Sequence, residues 1–161
     1  MKKFFCFAGH ALDPRTGRGT GAHAGDYDEA KLAIELRNSI VDNIRSNSEC
    51  VSFQVIKDDD YERLPDLSRR IMSLVSTHDL LLDIHWNAAA DTRATGIEAY
   101  IPSRYSKTEL RLAADLVEGL GKILKLPLRG VTEGRRGVKL EHHSQHPQLA
   151  MMRPNCENVF K

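Results

Sequence analysis

Phe4-Phe5-Cys6-Phe7-Ala8 is an unbroken apolar run of strand length that stops at Gly9-His10. Short continuous runs of this kind read as buried strands, so a strand is predicted over 4–8. Residues 9–27 are rich in Gly, Thr, Asp and Arg without apolar periodicity, which predicts a long loop. From Glu29 onward Leu32, Ala33, Leu36, Ile40 and Ile44 recur at helical spacing. They predict an amphipathic helix to about Arg45, with Asp26 or Asp28 as its cap. Val51, Phe53 and Val55 alternate as in a strand, with Ile56 beside them. A charged turn over 57–63 leads to Pro65, which suits a helix start. Leu67, Ile71, Leu74 and Val75 carry that second helix to about Thr77.

Leu80 to Ile84 predicts a central buried strand, and a small polar loop follows over 87–95. Gly96 to Ile101 predicts another strand, stopped by Pro102. Leu110, Ala113, Ala114, Val117, Leu120, Gly121 and Leu124 predict a third helix that ends before Leu126-Pro127. Residues 128–148 predict a second long polar loop, a short helical turn is expected over 149–152, and a last strand over 156–160. Strands alternating with helices predict an α/β fold with a mainly parallel sheet between helices.

Composition narrows the function classes. With 161 residues the chain is long enough for one domain with a real core and too short for two ordinary ones, so a single domain over 1–161 is expected. Lys+Arg 23 nearly balances Asp+Glu 22, which offers no global field for nucleic acid or a membrane surface. No apolar stretch approaches membrane-spanning length. The run after Met1-Lys2-Lys3 is too short for a signal-peptide core, so cytoplasmic synthesis is expected. Cys6, Cys50 and Cys156 are widely spaced and form no CxxC pair. That argues against thiolate zinc and against a disulfide framework, and fits a reducing compartment.

The chemistry centres on two histidines. His10 follows the first strand and His85 follows Leu80–Ile84. A histidine at the end of a buried strand stands at the rim of a sheet, where open α/β folds place their ligands. Two such histidines on neighbouring strands, with one carboxylate, make a three-ligand zinc site that keeps a position for water. Glu29 is the best candidate for the carboxylate, ahead of Asp28 and Glu35. Asp83 and Asn87 flank His85, and either is placed to orient a ligand from behind. Trp86 is expected to pack rather than to stack on substrate. Glu98 is expected either on an ordinary sheet surface or facing the cleft. His142, His143 and His146 sit in a polar loop and are expected not to bind a metal.

Several segments together resemble a known family. They are Phe7-Ala8-Gly9-His10, Glu29 opening a helix, Asp79-Leu80-Leu81-Leu82-Asp83-Ile84-His85-Trp86-Asn87-Ala88, and Gly96-Ile97-Glu98-Ala99-Tyr100. The family is the zinc-dependent N-acetylmuramoyl-L-alanine amidases of type 3. The likeness continues through the third helix to Leu126-Pro127-Leu128-Arg129-Gly130-Val131.

The resemblance implies a twisted, mostly parallel sheet flanked by helices on both faces. It implies that His10, Glu29 and His85 bind Zn2+. It implies hydrolysis of the amide between N-acetylmuramic acid and L-alanine in peptidoglycan, in cell-wall lysis or remodelling. A phage endolysin released by a holin, or a bacterial enzyme exported by another route, fits that activity. A second, catalytic glutamate is implied after an apolar strand near the C-terminus. Val159-Phe160-Lys161 is similar to that strand, which places the glutamate just past Lys161 and leaves Glu141 and Glu157 as weak candidates within the chain. Substrate contacts are expected from Asn87 and Arg129. Arg135 and Arg136 are expected either to meet the acidic peptide stem or to be solvated. Peptidoglycan is the expected partner, without nucleic acid or membrane insertion, and a monomer is expected. Two rivals stand beside this: another zinc amide hydrolase on the same scaffold, and a non-catalytic wall-binding protein that lacks the second glutamate.

Overall fold

The computed structural model describes residues 2–50, 52–87, 91, 93–144 and 159–160. In chain order the elements are β1 (Lys2–Phe7), β2 (His23–Ala24), β3 (Tyr27–Asp28), α1 (Glu29–Ser46), β4 (Phe53–Lys57), α2 (Leu64–Leu74) and β5 (Leu80–Asp83). They continue with β6 (Ala99–Ile101), α3 (Lys107–Leu124), β7 (Val131–Thr132), β8 (Arg135–Arg136), β9 (Val138–Leu140) and β10 (Val159–Phe160). Short 3₁₀ turns cover Ser48–Cys50 and Glu141–His143. The fold is mixed α/β with a parallel sheet, as the alternating pattern predicts. The chain divides into two compact units, Met1–Ala88 and Ala89–Lys161. Among the described residues no helix is long and apolar enough to cross a membrane. The expected turn over 149–152 and residues His146, Cys156 and Glu157 lie outside the described residues.

In the first unit β1 runs parallel to β4 on one side and to β5 on the other, with Phe4 opposite Val55 and Leu80. Residues alternate across a strand. Phe4, Cys6 and Ala8 therefore share one face, where they pack with Ala33, Ile34 and Val41 of α1. Phe5, Phe7 and Leu81 are buried on the other. Burial first, and the Asp58 carboxylate second, push the Cys6 thiol up to about 12, so it serves as a small core residue. The chain leaves β1 toward β4 and returns past it to β5. The ends of β1 and β5 therefore open side by side onto the crevice where α/β sheets bind ligands.

Helix α1 starts where Asp28 caps it, accepting the N–H groups of Ala30 and Lys31 at 3.1 and 3.4 Å. The same carboxylate accepts Gly19 N–H at 2.9 Å. Burial opposes its ionisation, but the Gly19 and Lys31 N–H groups and the His23 charge prevail and hold it below the usual carboxylate range. With the folded pKa lowered, Asp28 contributes fully above its unfolded value of about 3.9, and the contribution disappears as pH falls through the lower folded value. Asp28→Ala is expected to cost about 1–2 kcal/mol at pH 7 and less under strong acid, read from urea midpoints at the two pH values. An unchanged midpoint at pH 7 would refute the cap's contribution.

Three sequence expectations need correction in this unit. The buried stripe of α1 is Ala30, Ala33, Ile34, Arg37 and Val41, whereas Leu36 is exposed. The cap fixes the helix phase and turns Leu36 to the flank. Helix α2 ends at Leu74 rather than near Thr77 because Asp79 Oδ2 accepts the N–H and Oγ–H of Ser76, each at 2.9 Å, and pulls the chain into a turn. The stretch 9–27 is more than a loop. Its first part is a turn in which Asp13 Oδ1 accepts the N–H groups of Arg15 and Thr16, closed at the base by pairing of Leu12 with Gly19. Its last part is the antiparallel hairpin of β2 and β3, with Gly25 at φ 60 in the bend.

In the second unit β6 pairs in parallel with β9, and β7 with β8 in antiparallel fashion. Helix α3 begins with a capping box in which Ser106 and Glu109 satisfy each other's backbone N–H groups, and it buries Leu110, Ala113, Ala114 and Val117. The predicted polar loop over 128–148 therefore holds three strands. Glu133 (φ 45) and Gly134 (φ 76) form a two-residue turn with positive φ at both positions, the geometry that joins twisted hairpin strands.

Candidate metal centre

Strand β1 ends at Phe7, and Gly9 turns the chain at φ 63 so that His10 faces the crevice. A Cβ on Gly9 would lie 2.5 Å from His85 Nε2 and 2.6 Å from the Ile84 carbonyl. Only glycine lets the two strand ends come this close. Glu29 is the first residue of α1, so the Asp28 cap also fixes where Glu29 stands. His85 lies two residues past β5.

The carboxylate of Glu29, 7% exposed, stands at the centre. Its Oε2 accepts Ala22 N–H at 2.8 Å and its Oε1 accepts Trp86 N–H at 3.0 Å. His85 Nδ1 lies 3.1 Å and His10 Nε2 3.4 Å from that same Oε1. The two rings meet edge to face, 4.9 Å between centroids. Burial works against ionisation of Glu29. The hydrogen bonds of His10, His85 and Ala22 outweigh it and hold the carboxyl far below the usual range.

His85 Nε2 lies 3.2 Å from Asp83 Oδ2. With its hydrogen on Nε2 toward Asp83, the ring would present the Nδ1 lone pair on the Glu29 side, where a cation would take the place of the Nδ1–Glu29 hydrogen bond. The spacing agrees. Ligands about 2.0–2.2 Å from a tetrahedral zinc stand about 3.3–3.6 Å apart, close to the 3.1 and 3.4 Å found here. Among the described residues His10, Glu29 and His85 are the His, Cys, Asp or Glu group whose ligand atoms gather, all within 4.8 Å.

Several neighbours went unread in the sequence. Gly21 is one: a Cβ there would fall 2.6 Å from Glu29 Oε2 and 2.7 Å from the His10 ring. The N–H groups of Ala22 and Trp86 are two more, and no side-chain pattern announces a backbone donor. Of the runner-up carboxylates, Asp28 is spent on the cap and Glu35 is exposed. Trp86, expected to pack, is 40% exposed, and its contribution to the site is its backbone. Asn87 is exposed directly after it.

In the second unit Glu98 proves to be no surface residue. Its side chain is 9% exposed, with Lys139 Nζ at 2.5 Å, Arg129 Nε at 3.5 Å and Tyr100 OH at 3.3 Å. Arg129 is thus held along one side while its side chain stays 41% exposed. Glu141 accepts Ser103 N–H at 3.1 Å, and Ser103 Oγ pairs with His142 Nδ1 at 3.0 Å.

Residues 7–153 match the Amidase_3 family, N-acetylmuramoyl-L-alanine amidase. The chain belongs to this family. Among solved structures, a Neisseria meningitidis protein assigned as an N-acetylmuramoyl-L-alanine amidase is 28% identical, with a TM-score of 0.68 over 99% of this chain and 78% of that one. The catalytic domain of the amidase CwlV from Paenibacillus polymyxa is 15% identical, with a TM-score of 0.70 over 99% and 78% of the two chains. The N-acetylmuramoyl-L-alanine amidase of Clostridium difficile 630 is 18% identical, with a TM-score of 0.68 over 99% and 76%. The last two likenesses speak for the fold alone. No curated protein matches the chain. Membership of Amidase_3 makes this chain an amidase by class, and His10, Glu29 and His85 converge in it as a group able to hold a metal ion.

Proposed function

We propose that this Amidase_3 protein hydrolyses the amide between N-acetylmuramic acid and L-alanine in peptidoglycan, with Zn2+ held by His10, Glu29 and His85. The observation that carries the proposal is the meeting of two imidazole nitrogens on one buried carboxylate oxygen at 3.1 and 3.4 Å. Two imidazoles and a carboxylate suit zinc among the common metals. Such a metal supplies a water nucleophile at neutral pH and polarises the amide carbonyl.

The chain's own groups prepare that chemistry. Ala22 and Trp86 N–H groups fix both oxygens of Glu29, so the carboxylate arrives oriented and ionised. Asp83 selects the His85 tautomer and makes the ring a better donor. Asn87 and Arg129 are the proposed substrate contacts. Proton transfer from water to the leaving amine calls for a second carboxylate, a contribution of about 10²–10⁴-fold in rate.

The test uses the zinc-loaded chain on purified peptidoglycan and counts new L-alanine amino termini. Release that stops with a chelator and returns with zinc is expected. Release that survives metal removal would exclude the metal role. A zinc-loaded chain that binds the wall without releasing anything would favour the wall-binding alternative. Release from other peptide amides, with none at the muramyl bond, would favour another hydrolase.

A further inference from the structure

We propose that Arg37 is a positioning residue for the metal centre, bracing through Asp58 and Asp60 the turn that carries His10. The inference rests on the metal reading above. Arg37 is 0% exposed in the middle of the apolar stripe of α1. Every guanidinium N–H has an acceptor. Nε and Nη2 donate to Asn38 Oδ1 at 3.3 and 3.0 Å, and Nη1 donates to Asp58 Oδ1 at 2.7 Å and to the Asp58 carbonyl at 3.2 Å. Nη2 also donates to Asp60 Oδ1. Asp58, 5% exposed, turns its other oxygen to Ala8 N–H at 3.2 Å. The Asp60 carbonyl accepts Leu12 N–H at 2.8 Å. The stretch 58–60 thus grips the backbone two residues before His10 and two residues after it, and Arg37 holds that stretch from behind.

Stability alone is a poor explanation for this arrangement. A buried ion pair commonly returns less than its desolvation costs, and an apolar residue at 37 would continue the stripe. Placing a ligand is what an apolar residue there cannot do. Groups that orient metal ligands typically change affinity about 10- to 100-fold when lost. The Arg69–Asp66 pair is a useful contrast. It joins two exposed side chains within α2 at 2.6 Å, away from the 58–60 stretch.

Arg37→Lys keeps the charge but replaces a planar fork with a point, which cannot hold both carboxylates. Its zinc affinity, read by competition with a chromophoric chelator, is expected to fall about 10- to 100-fold. In metal-free protein the Ala8 and Leu12 amides are expected to exchange at least about tenfold faster, while Phe5 in the strand stays protected. Asp60→Asn is the gentler variant should Arg37→Lys fail to fold, with the same pattern expected at smaller size. Asp66→Asn is expected to leave zinc affinity and both amides unchanged. Folded variants that hold zinc within about twofold of wild type, or an Asp66→Asn effect of equal size, would overturn the brace. A wild-type chain that takes up no zinc would overturn the metal reading instead. Exchange at Ala8 and Leu12 would then decide the brace by itself.

Discussion

His85→Ala is expected to abolish stoichiometric zinc uptake by a chain that remains folded. His85 supplies Nδ1 at 3.1 Å from the shared Glu29 oxygen, and its Nε2 is tied to Asp83. The substitution removes a donor and frees the carboxylate that oriented it. Losing an orienting partner alone costs about 10- to 100-fold in affinity, so losing the donor itself is expected to exceed about 100-fold. The ring is 18% exposed and lies outside the core cluster, which is why the fold is expected to survive. Zinc-to-protein ratio after desalting, with far-ultraviolet circular dichroism as the folding control, decides the matter. One equivalent of zinc retained by the variant would remove His85 from the site.

Gly9→Ala carries the second large effect, and it strikes fold and site together. The residue sits at φ 63, where any L side chain pays about 1–2 kcal/mol. Its new methyl would also meet the Ile84 carbonyl and the His85 ring at 2.6 Å or less. Backbone cannot swing aside as a flexible side chain can, and overpacking of this kind costs about 1–3 kcal/mol more. A loss of about 3 kcal/mol in urea unfolding is expected, together with weakened zinc binding because His85 must yield. Gly17→Ala is the matched control. Its φ is 65 with open space around it, so it should show the backbone cost without any zinc effect. Equal zinc affinity in Gly9→Ala and Gly17→Ala would show that the close approach at Gly9 is irrelevant to the site.

Much of this was legible in the chain. The run Phe4–Ala8, the Pro65 helix start and the α3 stripe from Leu110 to Val117 are long-range packing demands written as local patterns, whereas Leu120 and Leu124, which continue that pattern, are exposed. His10 and His85 were legible because each closes an apolar run, and strand ends are where a sheet presents polar groups. The parts that escaped depend on partners far away in sequence. Arg37 reads as a solvent residue until its carboxylates, 21 and 23 residues on, fold against it. The strands β7, β8 and β9 are two or three residues long, too short for periodicity to register. Only the Glu133-Gly134 turn marks them. Glu98 looks like an ordinary alternating strand residue, and Lys139, which neutralises it, is 41 positions away.

The turn after Asp13 has a consequence for how this chain tolerates change. Its tip, with Pro14, Arg15, Thr16 and Arg18 exposed, is sealed from the site by the Leu12–Gly19 pairing, and Thr20 N–H returns to the Ala11 carbonyl at 3.1 Å just beyond. From Gly19 to Glu29, by contrast, the backbone is committed at both ends, to the Asp28 and Glu29 carboxylates. Length can therefore vary at the tip and not in the stretch that follows. Doubling a flexible loop costs only about 0.6 kcal/mol in closure entropy, so inserted residues or a grafted epitope between Pro14 and Arg18 would leave His10 and Glu29 in register. A single residue added between Gly19 and Ala22 would part the Gly19 N–H from Asp28 or the Ala22 N–H from Glu29.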